Sequence, residues 1–292
     1  MKQTQPGNAL NAHCLPGTPG IAYYSYRPPG CAAAATPLVF VHGYNRQVEE
    51  QAGALRGLCD RLGCPLVAPF FSSERHRRYQ RLGRGADGLR ADRFLDACLD
   101  DFSGERAAPF YLAGFSGGAQ FAHRYAMAHP RRVRHLVAVA AGWYTLPSDS
   151  IAFPRGLRTG RSLRGYSLNP EQFLRVPMTV IVGAEDTGTR NLRQSPELDE
   201  SQGRTRVERA RNWVAHLRLA ARQYHQDSRI SYLEVPAVGH DFFEFLACGR
   251  LLSLIEAALL DSVAGEAGGT AALASRAPVF GTQAGETCHA GA

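Results

Sequence analysis

A serine between two glycines in the segment Phe110–Gln120 has the spacing of a catalytic nucleophile. The segment begins as a short apolar run, passes through Gly114-Phe-Ser116-Gly-Gly118, and continues into residues that favour a helix. A serine on a sharp strand-to-helix turn exposes its hydroxyl, and the positions two residues to either side leave almost no room for a side chain. The first amides of the helix point to where negative charge develops during acyl transfer. The motif therefore predicts Ser116 as a nucleophile, with an ordinary tight turn as the alternative.

A serine hydroxyl needs a general base and an acidic residue that orients this base. Both follow later apolar runs: Glu185 and Asp186 come after Met178–Gly183, and His240 comes after the run that ends at Val235. Side chains of neighbouring residues diverge, so one of the two carboxylates is expected to face the histidine. The alternative for His240 is a capping position at the start of the last helix. The order serine, acid, histidine is that of one class of serine hydrolases.

Apolar runs and amphipathic segments alternate along most of the chain. The predicted strands are Ile21–Tyr26, Pro37–Gly43, Pro65–Phe71, the run before Ser116, Val133–Ala141, Met178–Gly183 and Ile230–Val235, and the predicted helices are 47–62, Ala86–Phe102, Gly117–His129, Arg204–Gln226 and Phe242–Leu260. This alternation predicts an α/β fold with one doubly wound, mainly parallel sheet.

The chain is expected to form one domain with two irregular ends. Residues 1–20 are rich in proline, glycine and asparagine and predict an irregular arm, residues 21–262 form the predicted domain, and residues 263–292 predict a disordered tail. Residues 143–176 interrupt the alternation with proline, glycine and spaced arginines. Insertions after strand ends lie above the ligand crevice of such sheets, so this segment is a candidate small lid.

Composition excludes several classes of function. The formal charge of +7 comes from scattered arginines, with Lys2 as the only lysine, and no recognition-helix or RNA-binding signature accompanies them. We therefore expect no nucleic-acid partner. Seven cysteines without CxxC spacing predict neither a zinc site nor a disulfide framework. Without an apolar leader or a membrane-length run, a cytoplasmic protein with no membrane partner is expected. Asp92, Asp96 and Asp100 recur at helical spacing, which predicts a solvated helix face rather than a metal site.

These motifs resemble the α/β-hydrolase family over about residues 21–260. The matching parts are His42-Gly43, Gly114-Phe-Ser-Gly-Gly118, Gly183-Ala-Glu-Asp186 and Gly239-His240. Within the family, the connection Gly142-Trp-Tyr-Thr145 and the loop Glu185–Asn191 are similar to the branch of poly(3-hydroxybutyrate) depolymerase-like and feruloyl-esterase-like hydrolases.

The resemblance implies a role for each of the matching residues. Ser116 would be the nucleophile, His240 the general base and later acid, and Asp186 rather than Glu185 the residue that orients the imidazole. The amides of Gly117 and Tyr44 would form the oxyanion hole, whereas His42 is expected to pack the loop. This chemistry requires no metal and no cofactor.

The expected reaction is hydrolysis of a carboxylic ester, of a small-molecule or oligomeric substrate, through an acyl-serine intermediate. Amide or peptide cleavage on the same triad, and a non-catalytic binding module, are the alternatives. A binding module would be expected to lack a triad member or an elbow glycine, and the chain has them all. The sequence makes no prediction of oligomeric state.

Two further groups of residues are candidates for the substrate pocket. Aromatic side chains just past strand ends either line an acyl pocket or pack in the core; they are Tyr44, Phe71, Trp143 and Tyr144. Arginines also occur in the insertion 143–176 and in a second polar, turn-rich segment, Thr187–Gly203, which is a candidate substrate rim. They either bind an acidic substrate group through bidentate contacts or are solvated, and they are Arg158, Arg161, Arg190 and Arg193.

Overall fold

An eight-stranded sheet forms the centre of the fold in the computed structural model, which describes residues 9–104, 108–160, 163, 165–166 and 168–274. The strands are β1 (Asn11–His13), β2 (Tyr23–Tyr26), β3 (Leu38–Val41), β4 (Leu66–Pro69), β5 (Phe110–Phe115), β6 (Val133–Val139), β7 (Met178–Gly183) and β8 (Ile230–Val235). Their order is β1-β2-β4-β3-β5-β6-β7-β8. β2 runs antiparallel to both of its neighbours, β1 and β4, and the strands β3 to β8 are parallel to one another. The prediction of a doubly wound, mainly parallel sheet is confirmed.

Helices cover both faces of the sheet and create two hydrophobic layers. They are α1 (Val48–Leu62), α2 (Ala91–Ser103), α3 (Gly117–Ala128), α4 (Pro170–Leu174), α5 (Pro196–Gln202), α6 (Arg206–Gln223), α7 (Phe242–Ala247) and α8 (Arg250–Ala274). In β3, Leu38 and Phe40 belong to the hydrophobic layer that contains α1, α7 and α8, whereas Val39 and Val41 belong to the layer that contains α2, α3 and α6. Successive strand side chains point to opposite faces, so a strand covered on both sides must be apolar throughout.

The two ends of the chain differ from the sequence prediction. Asn11–His13 was expected to be irregular, yet it forms β1 and pairs with β2. The last helix is interrupted at Cys248 and Gly249, where Gly249 has a φ of 69°, and so becomes α7 and α8. Residues 263–274, predicted to be disordered, continue α8, and 275–292 lie outside the described residues. Neither α8 nor any other helix in the described part of the chain has the length and apolar character needed to span a bilayer.

Asp92 is buried, which corrects the prediction of a solvated face on α2. Its carboxylate accepts hydrogen bonds from Arg90 Nη2 at 2.7 Å, His129 Nε2 at 2.8 Å and the Tyr166 hydroxyl at 3.0 Å. Burial alone would raise the pKa of Asp92, but the His129 hydrogen bond and the Arg90 charge hold this pKa below its ordinary value. The cluster joins the start of α2 and the end of α3 to the insertion.

The predicted insertion packs onto the helical layer that contains α3. Leu157, Leu163 and Phe173 are buried there. The guanidinium carbon of Arg90 lies 3.9 Å from the centroid of the Tyr166 ring. Arg161, one of the predicted anion-binding arginines, lies outside the described residues. Movement of residues 143–176 as a lid stays a prediction.

Candidate active site

Ser116 lies on the turn between β5 and α3, in a backbone conformation that few residues adopt. Its φ is 53° and its ψ is −110°, outside the regions usually open to a side-chain-bearing residue. A Cβ added to Gly114 would lie 2.5 Å from the Gly118 carbonyl, and one added to Gly118 would lie 1.9 Å from the Val41 carbonyl oxygen. The close approach of the first turn of α3 to β3 and β5 therefore requires both glycines.

Three side chains from distant parts of the chain form a continuous hydrogen-bonded series. Ser116 Oγ lies 3.0 Å from His240 Nε2, and His240 Nδ1 lies 2.8 Å from Asp186 Oδ2. A carboxylate only accepts, so Nδ1 carries the proton and Nε2 is free to accept from the serine hydroxyl. The ring of Phe115 stacks on the imidazole at 5.3 Å between centroids and fixes its plane.

Backbone contacts hold the acid-bearing loop against the histidine-bearing loop. Ala184 N donates to Val235 O at 2.8 Å, and Glu185 N donates to Val238 O at 3.0 Å. A Cβ on Gly183 would lie 2.2 Å from Val238 O, so the residue at the end of β7 must be small. The loops after β7 and β8 are therefore in register with each other, which sets the distance between acid and histidine.

The geometry does not agree with Glu185 as the orienting acid or with His240 as a helix cap, the two alternatives that the sequence left open. Glu185 is exposed, and Asp186 is the carboxylate that contacts His240. The cap of α7 is Asp241, whose Oδ1 accepts from the amides of Phe243 and Glu244 at 2.7 Å and 3.1 Å. His240 therefore has no capping role.

Arg206 is a residue that the sequence reasoning missed. Its Nη1 lies 3.1 Å from Asp186 Oδ1, and the two side chains are only 4% and 2% exposed. The sequence contains a pattern that could have indicated this residue. Thr205 and Glu208 form a capping box, which places Arg206 in the first turn of α6. A cation there opposes the helix dipole, so an arginine at this position points to a specific partner.

The amide nitrogen of Tyr44 lies close to Gly117, the residue that follows Ser116. A Cβ on Gly117 would lie 3.2 Å from Tyr44 N. Within the described residues, neither the Tyr44 amide nor the Gly117 amide has a protein acceptor. The oxyanion hole formed by these two amides stays a prediction.

His42 and the Arg46 amide, which donates to Gly43 O at 3.1 Å, together hold the peptide that carries the Tyr44 N–H. The Nδ1 of His42 lies 2.7 Å from Gly43 O, and its Nε2 accepts from the Phe71 amide at 3.0 Å. The C=O and N–H of a trans peptide point in opposite directions, so a bonded Gly43 carbonyl turns the Tyr44 N–H the other way. Burial lowers the pKa of His42 to about 4, which keeps the ring neutral. The expected loop-packing role of His42 agrees with these contacts.

Two cavities meet at Ser116. The larger one, of about 580 Å³, is lined by His240, Phe115, Phe242 and polar residues that follow β3. The smaller one, of about 280 Å³, is lined by Gly117, Gln120, Trp143 and five arginines, which are Arg77, Arg78, Arg81, Arg193 and Arg206. Tyr44, Ser116, Asn191 and Arg206 line both.

The structure places only part of the predicted pocket residues near Ser116. Trp143 lines the smaller cavity, whereas Phe71 and Tyr144 are fully buried and stack on core rings, at 4.8 Å from Tyr79 and 4.3 Å from Trp213. Their prediction as pocket residues is wrong because a residue past a strand end can face the core as well as the crevice.

Among the predicted arginines, Arg193 lines the smaller cavity. Arg158 and Arg190 are exposed and line neither of the two cavities. Arg190 contributes only its backbone carbonyl, which accepts from Arg206 Nη2 at 3.4 Å.

The strand order, the tight turn at Ser116 and the two strand-end loops define the α/β-hydrolase fold. One solved structure that the chain resembles is LpqC, a poly(3-hydroxybutyrate) depolymerase from Bordetella parapertussis, with 29% identity and a TM-score of 0.62 over 75% of this chain and 80% of that one. Poly(aspartic acid) hydrolase-1 from Sphingomonas sp. KT-1 has 20% identity and a TM-score of 0.70 over 83% and 97%. An S-formylglutathione hydrolase from Agrobacterium tumefaciens has 14% identity and a TM-score of 0.53 over 85% and 93%.

No protein-family model matches the chain, and no curated protein matches it by sequence. The resemblance to poly(3-hydroxybutyrate) depolymerase-like proteins is confirmed by the structural neighbours, which are esterases and other hydrolases. They support a hydrolase of the α/β fold.

Proposed function

We propose that this protein is a serine hydrolase that cleaves carboxylic esters through an acyl-serine intermediate. The observation that supports this most directly is the unbroken series Ser116 Oγ, His240 and Asp186, with contacts of 3.0 Å and 2.8 Å. Close to it are the amides of Tyr44 and Gly117, which donate to no acceptor among the described residues. Nucleophile, base, orienting acid and oxyanion donors are the parts that acyl transfer to a serine needs.

His240 moves the protons in the proposed reaction. Its Nε2 takes the proton of Ser116 as the hydroxyl oxygen attacks the ester carbonyl, and the amides of Tyr44 and Gly117 stabilise the negative oxygen that forms. The same Nε2 then protonates the leaving alcohol as the C–O bond breaks. A water molecule repeats the sequence on the acyl-serine and releases the acid.

Asp186 acts on the imidazole rather than on the substrate. Its carboxylate keeps Nδ1 protonated and stabilises the imidazolium that forms while His240 holds the serine proton. The ion pair with Arg206 fixes the carboxylate in position.

The proposal is tested by two measurements on the same protein, covalent labelling of the serine and hydrolysis of model esters. A fluorophosphonate probe is expected to modify Ser116, located by mass spectrometry, and 4-nitrophenyl esters of increasing acyl length are expected to be hydrolysed. Ser116→Ala should lose both labelling and turnover, the latter by about 10⁴-fold or more. Ser73→Ala, an exposed serine on the loop after β4, is the matched control and should behave as the wild type.

Three results would oppose the proposal. Ester turnover that survives Ser116→Ala would exclude the serine as nucleophile. Turnover of amides without turnover of esters would indicate an amidase or peptidase. Absence of both labelling and turnover in a folded protein would indicate a binding module.

A further inference from the structure

The smaller cavity at Ser116 carries a concentration of positive charge without compensating carboxylates. Arg206 is paired with Asp186, which leaves Arg77, Arg78, Arg81 and Arg193. Among the described residues that line this cavity there is no aspartate or glutamate, and none of the four guanidinium groups has a carboxylate within ion-pair distance in the described part of the chain. Positive charges gathered in a concave site attract an anion.

Two of these arginines, Arg81 and Arg193, lie near the ring of Trp143, which also lines the cavity. The guanidinium carbons of Arg81 and Arg193 lie 5.4 Å and 6.0 Å from the ring centroid. Burial lowers the pKa of Arg81, and the charges of Arg193 and Arg78 lower it further. These groups repel one another in the free protein, so a bound anion would relieve a repulsion that already exists.

Arg124 adds a buried charge near the same ring. It is fully buried with its guanidinium carbon 4.1 Å from the Trp143 centroid, and it bonds Thr145 Oγ1 and the carbonyls of Gln80 and Gln120. All of these partners are neutral, and its Nη2 has no hydrogen-bond partner among the described residues. A charge in this low-dielectric position strengthens the positive potential inside the cavity.

An acidic residue does occur nearby, but in a neighbouring cavity. Glu197 lies 3.8 Å from Arg155, is exposed, and interacts with Arg193 only at longer range. Together with Arg155 it lines a cavity that shares Arg81, Trp143 and Arg193 with the arginine-lined one. Glu197 therefore lines the neighbouring cavity, and no described aspartate or glutamate lines the cavity that contains Ser116.

The position of His240 assigns the two cavities to the two halves of an ester. The general acid must reach the oxygen of the leaving alcohol, and His240 lines the larger cavity and not the smaller one. The alcohol part therefore occupies the larger cavity. The acyl part occupies the smaller one, beside Gly117 and the arginines.

We propose that the acyl group of the substrate carries its own carboxylate, which the arginine-lined cavity binds through Arg81 and Arg193. The substrates would then be half-esters of dicarboxylic acids or esters within a polycarboxylate chain. This inference rests on the proposed esterase function and adds the substrate class. Arginine suits a carboxylate because its planar fork matches the two oxygens.

The experiment compares anionic and neutral acyl groups of equal length. Mono-4-nitrophenyl esters of dicarboxylic acids from succinate to suberate are assayed against 4-nitrophenyl alkanoates with the same number of chain atoms, with spontaneous hydrolysis subtracted. The methyl ester of the distal carboxyl serves as the neutral, size-matched control. At the best chain length, kcat/KM for the anionic ester should exceed that for both neutral esters by about 10- to 100-fold, and added salt should reduce this preference.

Arginine variants locate the preference in the cavity. Arg81→Gln and Arg193→Gln should each lower the ratio of anionic to neutral kcat/KM by about tenfold, and Arg81→Lys should restore part of it because the charge returns without the planar fork. Arg158→Gln is the matched control, since Arg158 is exposed and lines neither cavity at Ser116. Its ratio should equal that of the wild type.

The outcomes separate the two proposals. Equal or better turnover of neutral esters, lost in Ser116→Ala, would overturn the carboxylate-bearing acyl group and leave the esterase intact. If no ester is turned over and Ser116 is not labelled, calorimetric titration with adipate against hexanoate decides. Adipate binding that weakens in Arg81→Gln would sustain a carboxylate site in the cavity, and its absence would overturn this site as well.

Discussion

Arg206 Nη1 and Asp186 Oδ1 form a buried ion pair at 3.1 Å on the side of the carboxylate that His240 does not use. Breaking a buried pair by removing one partner leaves an uncompensated charge and costs about 3–5 kcal/mol. Arg206→Ala should therefore lower the free energy of unfolding by about that amount in urea titrations, and it should also lower kcat because the carboxylate is no longer held.

A second ion pair of α6 supplies the control for this prediction. Arg211 pairs with Glu234 at 2.7 Å, but the Arg211 side chain is 59% exposed. Exposed pairs contribute about 0–1 kcal/mol, so Arg211→Ala should change neither stability nor kcat by much. Equal effects of the two substitutions would show that the Arg206 contact has no special role.

His42→Gln should lower kcat more than it changes KM. The ring of His42 helps to hold the Tyr44 amide through the Gly43 carbonyl, and an oxyanion donor contributes mainly in the transition state. Loss of one such donor corresponds to about 3 kcal/mol, or about 10²-fold in kcat. Steady-state kinetics on a neutral 4-nitrophenyl ester gives the two parameters.

A second buried histidine distinguishes positioning from packing. His76 lies in the same aromatic cluster, with its ring centroid 5.4 Å from that of Phe71, and neither of its ring nitrogens has a hydrogen-bond partner in the part of the chain that the structure describes. His76→Gln should therefore lower thermal stability without the selective loss of kcat. A similar loss of kcat in both variants would mean that the His42 effect is only loss of packing.

The stability of the fold should fall between pH 6.5 and pH 4. Burial lowers the pKa of His42, His76 and His135 to about 4 from 6.5, and burial lowers that of His123 as well. In this window the unfolded chain binds protons that the folded chain does not, so the unfolded state gains stability as the pH falls. A shift of this size at His42 alone corresponds to about 3 kcal/mol.

Chemical denaturation at a series of pH values measures this slope. His135→Asn keeps a polar side chain between Ser262 and Thr179, the two hydroxyl groups that His135 bonds, but does not titrate. The variant should show a smaller loss of stability from pH 6.5 to pH 4 than the wild type. A free energy of unfolding independent of pH over this window would contradict the neutral, buried state of these rings.

Much of the fold could be predicted from sequence because strands covered on both faces are continuous apolar runs. Met178–Gly183, which is buried throughout, agrees with the prediction at both ends. Ile230–Val235 also agrees at both ends, although it lies at the edge of the sheet and Val235 alone of its six residues is buried. β1 could not be predicted in this way, since an exposed three-residue edge strand has no apolar pattern. The break between α7 and α8 depends on the left-handed backbone conformation of Gly249. A glycine within an amphipathic run does not by itself predict that the helix ends there.

The candidate triad could be predicted because parallel strands bring their carboxyl ends to one edge, so Ser116, Asp186 and His240 were close in space by topology. Topology does not determine which way a single side chain points after a strand ends. Phe71 and Tyr144 were therefore predicted to line the pocket, whereas both are buried in the core. The arginine-lined cavity was missed for a related reason. Three of its arginines, Arg77, Arg78 and Arg81, lie in or beside the short 3₁₀ turn Tyr79–Arg81, which tertiary contacts alone bring to Ser116.

Gly118→Ala should destabilise the whole fold as well as the site. A methyl group there would lie 1.9 Å from the Val41 carbonyl oxygen, an atom fixed within β3. Relief requires α3 to move away from the sheet, so we expect a loss of about 3 kcal/mol or more in the free energy of unfolding, with loss of fluorophosphonate labelling at Ser116. Gly188→Ala is the matched control, because a Cβ at Gly188 meets nothing within 4 Å, and it should stay within about 1 kcal/mol of the wild type. If Gly118→Ala were as stable and as readily labelled as Gly188→Ala, the close packing of α3 on β3 that positions Ser116 would be wrong.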